Sequence, residues 1–194
     1  MPQPGLFELE TVVVAQPKRS RWRRYGGPVL TLSTVEGERL AHVTHIDDSH
    51  WLITKTSGEF IAGITKRSRF GPFGAVRFHF TGTGNEQVGT AAAQGLVKTR
   101  QLSLQTGQKR PLLLIRRGGL SSEWHLARTD PQRGPEREIL ARVTVSTIDA
   151  WLGLQQYALD MAPRLEACER RAVVASVVCL HLLRRPPAGN ATPA

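Results

Sequence analysis

The sequence predicts a mainly β protein, in which antiparallel strands close into a barrel around one C-terminal helix. Three observations predict this fold. Short alternating or β-branched segments fill most of the chain, turns containing Gly and Glu recur between them, and the last apolar segment is a helix that is apolar on every side. Closing the sheet removes its edges, and a helix fills a lumen that strands alone would leave too wide.

The predicted strands are short, and Gly, Asp or Ser residues separate them. They are PVLTLST (28–34), RLAHVTHI (39–46), HWLITKT (50–56), EFIAGIT (59–65), AVRFHFTG (75–82), RPLLLIRR (110–117), EWHLART (123–129), EILARVTV (138–145) and WLGLQQYALD (151–160). No long amphipathic helix interrupts the series. This pattern disfavours a parallel sheet with alternating strands and helices.

A pattern repeats within these strands, which indicates a string of hairpins. Its copies are ERLAHV from Glu38, EFIAGI from Glu59, EQVGTA from Glu86 and EILARV from Glu138. The first three copies follow the turn glycines Gly37, Gly58 and Gly84, and further turns are predicted at TGQKR (106–110) and DPQRG (130–134).

The fourth residue of each copy is small. These residues are Ala41, Ala62, Gly89 and Ala141. We expect them to face inward, where a strand that passes close to a central helix has no room for a larger side chain.

The unbroken apolar run 172–183 could be a membrane anchor or a core helix. Its 12 residues reach only ~18 Å, whereas a helix that crosses the hydrocarbon core needs ~20 apolar residues. We predict a helix over 164–185, with Pro163 suited to its start and Pro186 and Pro187 ending it. Its later turns are apolar on every side, so we expect the rest of the protein to surround it.

One domain is predicted, with the barrel and its helix over residues 7–185. Residues 1–6 and 186–194 are predicted to be disordered, because they are rich in Pro and small residues. The N-terminus has no basic start or apolar segment, so a signal peptide is not expected. Cys168 and Cys179 lie ~16 Å apart along the helix, too far for a disulfide, and indicate a reducing compartment.

The ordered hairpins, followed by WLGLQQYALDMAP and then RRAVVASVVCLHLLRR, resemble the tubby-like C-terminal domain superfamily. The resemblance is closest to the branch of phospholipid scramblases and LURP-one-related proteins, and it covers roughly residues 7–185. It implies a barrel of about twelve strands around a central C-terminal helix, and a non-enzymatic, lipid-associated function.

The chain departs from the animal scramblases in the segment before the helix. Those proteins have an acidic calcium-binding segment there, whereas this chain offers only Asp160 and Glu166, too few oxygen ligands for calcium. The cysteine-rich palmitoylation stretch is also missing from this chain. Calcium-activated scrambling is therefore doubtful.

The charge of the chain favours an anionic partner, because 26 basic side chains face 16 acidic ones and give a net charge of +10. The basic residues form two clusters. The first contains Lys18, Arg19, Arg21, Trp22, Arg23 and Arg24, and the second contains Lys66, Arg67 and Arg69.

A basic run with an embedded aromatic suits an anionic phospholipid surface, and it equally suits a nucleic-acid backbone with a stacked base. We rank nucleic acid second, because the aromatic residues are not grouped on adjacent strands. A solvated linker is the other interpretation of the first cluster, and a GC-rich genome, which yields an Arg-rich chain, is another explanation of the charge. We expect the protein in the cytoplasm, with peripheral contact at the inner membrane face.

The search for catalytic and metal-binding chemistry finds little. His45, Asp47 and His50 are weak metal candidates that make a site of at most three ligands. Ser121, Ser122 and His125 lack a nucleophile motif and an evident acid partner. We therefore expect neither a cofactor nor an enzymatic activity.

Overall fold

A computed structural model of the protein describes residues 5–17, 28–68, 76–93, 101–118, 121–128, 138–149 and 154–184. Within these ranges the chain forms strands followed by one C-terminal helix. The elements are β1 (Thr11–Ala15), β2 (Pro28–Ser33), β3 (Arg39–Asp47), β4 (His50–Lys55), β5 (Phe60–Ser68), β6 (Val76–Thr81), β7 (Gln87–Ala93), β8 (Gln101–Thr106), β9 (Pro111–Arg116), β10 (Glu123–Arg128), β11 (Ile139–Asp149), β12 (Leu154–Met161) and α1 (Ala167–Arg184).

The strands form a closed antiparallel barrel, as the sequence predicts. Each strand pairs with the next one along the chain, and β1 closes the barrel by pairing with β12 from Thr11 opposite Asp160 to Ala15 opposite Gln156. Each predicted strand range overlaps an observed strand, and EQVGTA overlaps β7. The strands β1 and β8 have no counterpart among the ranges predicted above.

Four hairpin turns at one end of the barrel share one geometry. In each, the first residue's N–H donates to the carbonyl oxygen of the fifth residue, for example Thr34 to Glu38 at 2.9 Å. The fourth residue of each turn has a positive φ, which is the pattern of three-residue hairpin loops. These fourth residues are Gly37, Gly58, Asn85 and Lys109.

The first three copies of the repeat therefore each follow a turn of the same geometry. In the third copy, Asn85 rather than the preceding Gly84 has the positive φ that matches Gly37 and Gly58. Asparagine tolerates this conformation better than most residues, so it replaces glycine there. We call this end of the barrel the turn end, and the opposite end, which includes the β1–β2 and β5–β6 connections, the loop end.

The small residues of the four copies are buried, as expected for inward-facing positions. At Gly89 the reason for the small residue differs from the expected one. A Cβ atom there would lie 2.5 Å from the carbonyl oxygen of Gln105 on β8. The backbone of the neighbouring strand, and not the helix, therefore excludes a side chain at this position.

The helix α1 is enclosed by the barrel, which confirms the interpretation of the apolar run as a core helix. Val173, Val174, Val177 and Val178 have no exposed surface. In the described part of the chain, no helix combines the length and the apolarity that crossing a membrane requires.

The helix begins at Ala167, three residues later than predicted, because Pro163 and Arg164 form a turn before it. The Glu166 N–H donates to Glu169 Oε2 at 3.1 Å, and the Arg170 N–H donates to the Glu166 carbonyl oxygen at 2.9 Å. The first of these bonds caps the start of the helix, and the second opens the helical hydrogen-bond pattern.

The first core residue lies nearer the N-terminus than predicted. Leu6, which we assigned to the disordered residues 1–6, is buried and packs within the hydrophobic core. Its burial closes part of the turn end. Residues 1–4 and 185–194 lie outside the described residues, so disorder there stays a prediction.

Both cysteines are free, as their separation along the helix predicts. Cys168 is partly exposed near the start of α1, and Cys179 is completely buried within the barrel. Burial raises the pKa of the Cys179 thiol well above its ordinary value, so this side chain behaves as a small apolar residue.

Replacing Val177 with Asp should unfold the protein. The barrel offers this position no solvent, and an unpaired buried carboxylate costs several kcal/mol, on the order of total stability. Circular dichroism during heating measures the effect. Ala167→Asp, an exposed position in the first turn of α1, is the matched control and should fold normally. A cooperatively folded Val177→Asp variant would contradict the enclosed helix.

Candidate functional site

The two predicted basic clusters are joined to the same end of the barrel. Residues 18–24, which include Lys18, Arg19, Arg21, Trp22, Arg23 and Arg24, lie outside the described residues, and so does Arg69. The strand ends that flank these segments are described. Ala15 and Pro28 border the first segment, Ser68 and Val76 border the second, and all four lie at the loop end.

Arg67 of the second cluster forms a pair with an arginine on the adjacent strand that belongs to neither cluster. Arg67 on β5 lies directly opposite Arg77 on β6, and both side chains are exposed. Lys66 occupies the register position opposite the buried Phe78 and is half-buried. The structure therefore brings Arg67 beside Arg77, whereas Lys66 shares the inward side of the sheet with Phe78.

Arg77 was missed in the sequence analysis, although the signal for it was present. Val76, Phe78 and Phe80 alternate along β6 and are buried, so Arg77 and His79 must face the outside. The alternation gives the face, but only the β5–β6 register places Arg77 opposite Arg67.

The arginine pair is unusual because like charges directly opposite each other on adjacent strands destabilise a sheet. Opposed Cβ atoms are separated by about 5 Å. Among the described residues, no carboxylate forms an ion pair with Lys66, Arg67 or Arg77. Two neighbouring guanidinium groups of this kind offer a phosphate or carboxylate several converging N–H donors.

Two other described arginines of the loop end have partners within the protein. Arg117 Nη1 lies 3.0 Å from Glu123 Oε2, and Arg116 Nε donates to the Ser121 carbonyl oxygen at 2.6 Å. His125 Nε2 lies 2.7 Å from Glu123 Oε1. The hydrogen bond from His125, followed by the one from Arg117, lowers the pKa of Glu123 below its ordinary value.

The expectation that His125 lacks an acid partner is wrong, because Glu123 lies on the same strand two residues away and faces the same side. The Ser121 hydroxyl oxygen instead accepts a hydrogen bond from the Glu123 N–H at 3.0 Å. Ser121, Glu123 and His125 are therefore joined by hydrogen bonds at the start of β10.

The weak metal candidates His45, Asp47 and His50 do not converge. His50 Nδ1 lies 2.8 Å from Asp47 Oδ1, but the ring of His45 lies against Trp51 with 5.7 Å between centroids. The β3–β4 register shifts between His45 and Asp47, so these two side chains do not follow the regular alternation of a strand. Within the described ranges, no group of three or more His, Cys, Asp or Glu side chains could hold a metal ion.

Two charged residues at the start of α1, Glu169 and Arg170, are buried at the turn end, which the sequence did not predict. Arg128 Nε and Nη2 donate to the two carboxylate oxygens of Glu169 at 3.0 and 2.9 Å, and Glu169 has no exposed surface. Burial would raise the pKa of Glu169, but the hydrogen bonds from Arg128 and from the Glu166 N–H outweigh it and lower the pKa.

Arg170 is also buried, and its guanidinium group joins three parts of the chain. Nε donates to the Leu165 carbonyl oxygen at 3.1 Å, and Nη1 donates to the Leu9 carbonyl oxygen at 2.9 Å. Nη2 reaches the carbonyl oxygens of Ala162 and Pro163 at 3.4 and 3.2 Å. These bonds hold the N-terminal segment and the β12–α1 link against the helix.

Comparisons with known proteins support the fold. No protein-family model matches the sequence, and no curated protein matches it. The X-ray structure of the Arabidopsis thaliana protein AT5G01750, a LURP-one-related protein, is similar to this chain with a TM-score of 0.56 and 13% sequence identity. The similarity covers 90% of this chain and 92% of that chain. At this identity it shows the barrel fold alone.

A second solved structure is that of the Bacillus subtilis inhibitor of motility, MotI/DgrA. It is 11% identical, covering 91% of this chain and 97% of that chain, but its TM-score is 0.14. This value is too low to indicate a shared fold.

Replacing Glu169 with Gln should lower the free energy of unfolding by about 2 kcal/mol, because a charge-assisted pair is lost at a buried position. The pKa of Glu169 is lowered in the folded protein. The ionised side chain therefore contributes its full stabilisation above the ordinary carboxyl range, and this stabilisation is lost as the pH falls through the pKa of the folded state. Urea unfolding of both proteins at neutral and acid pH measures this difference.

Glu59→Gln is the matched control, because Glu59 pairs with Lys55 at the same end but is exposed. Its effect should stay below about 1 kcal/mol. An equal loss of stability in the two variants would contradict the assigned role of the Arg128–Glu169 pair.

Proposed function

We propose that the protein is a non-enzymatic barrel that binds anionic phospholipid surfaces through its loop end. The observation that carries the proposal is the exposed pair Arg67 and Arg77, which no described carboxylate neutralises. A phosphate headgroup placed between the two guanidinium groups would relieve their repulsion and accept hydrogen bonds from both.

The distribution of charge along the barrel supports an oriented contact. Most carboxylates with described side chains belong to the turn end. They include Glu36, Glu38, Glu59, Glu86, Glu138, Glu166 and Glu169. The loop end therefore faces a negative surface at a lower electrostatic cost than the turn end. The first basic cluster, which is joined to the loop end, would add to this attraction.

In this proposal the protein binds a lipid surface without moving lipid and without calcium. It lies in the cytoplasm and contacts the inner face of the membrane, because that leaflet carries anionic lipids. The resemblance to lipid-handling barrels supports it.

Nucleic acid is the second candidate for the same basic surface. Proteins that bind single strands without sequence preference combine basic grooves with exposed aromatic rings on which bases stack. Phe78 and Phe80, the phenyl rings beside Arg77 on β6, are completely buried. The described part of this surface therefore favours a phosphate-bearing membrane.

Arg67→Gln combined with Arg77→Gln should weaken binding to anionic vesicles by about thirtyfold, since each basic side chain near such a surface contributes about 1 kcal/mol. Cosedimentation with phosphatidylserine-containing vesicles at low salt measures this change. Binding should fade as salt rises, and neutral phosphatidylcholine vesicles should bind weakly.

The matched control is Lys109→Asn combined with Arg142→Gln, which removes the same charge from exposed positions outside the loop end. This control should bind vesicles almost as well as the unmodified protein. Equal weakening of both double variants would mean that only the net charge matters, and the assigned surface would be wrong.

Changing Arg19, Arg21, Arg23 and Arg24 together to Ser should weaken anionic-vesicle binding further, because four cations beside Trp22 are removed. The same cosedimentation assay measures it. Unchanged binding would make this run a solvated linker. If the unmodified protein ignores vesicles but shifts single-stranded nucleic acid with a steep salt dependence, the second candidate replaces the first.

A further inference from the structure

A cavity of about 480 Å³ lies at the turn end, opposite the surface proposed to meet membranes. The N-terminal residues Gly5, Leu6 and Phe7 form one side of it. The ends of β3, β4 and β5 form another, and Arg171 of α1 and the β6–β7 turn complete it. Its volume falls within the range of small-molecule sites.

The cavity has a structural cause in the position of the helix. The contacts of α1 are concentrated on β6, β7, β8 and β12, and the strands β3, β4 and β5 are not among them. Space is left beside β3–β5 at the end where the helix begins. The N-terminal segment covers part of this space, and Arg171 lies over the Phe7 ring at 5.6 Å from its centroid.

The lining of the cavity is part apolar and part cationic. The apolar part contains Leu40, Phe60 and Ile61, together with Leu6 and Phe7 of the N-terminal segment. These apolar side chains favour binding of a ligand with a small apolar group.

Three cations and two carboxylates line the same space. Lys55 Nζ lies 2.7 Å from Glu59 Oε2, which satisfies both groups. Arg171 Nη1 is 3.6 Å from Glu86 Oε1, a longer contact that leaves donors free. Arg39 is exposed and has no ion pair with any residue that the structure describes. The lining therefore has one cation more than it has carboxylates.

We propose that this cavity binds a small amphipathic anion, with a carboxylate or phosphate group on Arg39 and an apolar chain against Phe60 and Ile61. The planar guanidinium group of Arg39 can donate a two-pronged hydrogen bond to either head group. Arg171, which lines the same cavity, supplies further donors. The site does not depend on the proposed membrane surface, because the two lie at opposite ends of the barrel.

The test uses octanoate, octyl phosphate and neutral 1-octanol as probes of the full-length protein. Titrations followed by amide chemical shifts should show one or both anions binding, with the largest shifts among lining residues such as Ser57 and Thr83. The alcohol of equal chain length should bind at least about tenfold more weakly, because it lacks the charge that Arg39 recognises. The relative affinities of the two anions identify the preferred head.

Arg39→Gln should weaken binding of the anions by about tenfold, whereas Lys109→Asn, which removes an exposed cation of the same end outside the cavity, should not. Equal affinities in these two variants, equal binding of 1-octanol, or largest shifts at the loop end would each overturn the proposal. So would a failure of both anions to bind. If Arg39→Gln does not fold, the shift map and the alcohol comparison on the unmodified protein decide.

Discussion

The structure depends on one constraint, namely that a helix apolar on every side must be enclosed. The 18 residues of α1 are ~27 Å long, and no flat sheet could cover such a helix all around. A closed barrel covers it and also removes the edges of the sheet. Closure requires β1 to pair with β12, which brings the start of the barrel beside the strand that leads into the helix.

Enclosing the helix creates a second requirement at its first turn, where the chain carries charged residues. Burial of Glu169 and Arg170 would be very unfavourable without partners. The two-pronged bond from Arg128 joins Glu169 to β10, and the carbonyl oxygens around Arg170 come from the N-terminal segment and the β12–α1 link. The same bonds that satisfy these charges therefore close the turn end and fix one side of the cavity.

The sequence was enough to predict the barrel, the enclosed helix and the repeated turns, because these depend on local patterns. Turn geometry needs a residue that tolerates positive φ, and a helix without a polar side needs a surrounding core. The strands β1 and β8 were missed, although QLSLQT alternates along β8 as a strand should.

The candidate site was harder to predict, because it depends on residues that meet only in the folded chain. Arg67 and Arg77 are opposite each other through hairpin register, and Arg128 reaches Glu169 across 41 residues of sequence. Charged residues at the start of a helix are usually exposed, so nothing local indicated that Glu169 and Arg170 are buried. The register shift that separates His45 from Asp47 also has no clear signal in the sequence.

The rigid core fixes the two ends of the barrel relative to each other. The enclosed helix and the closed sheet leave the barrel little freedom to rearrange, so each end presents a fixed arrangement of charge. Under the proposed function, the repulsion between Arg67 and Arg77 persists in the free protein and is relieved only when an anion arrives. Contact through the loop end would leave the turn end facing water. The cavity beside Arg39 would then stay open to small anions in solution while the barrel rests on a membrane, so the two sites could be occupied together.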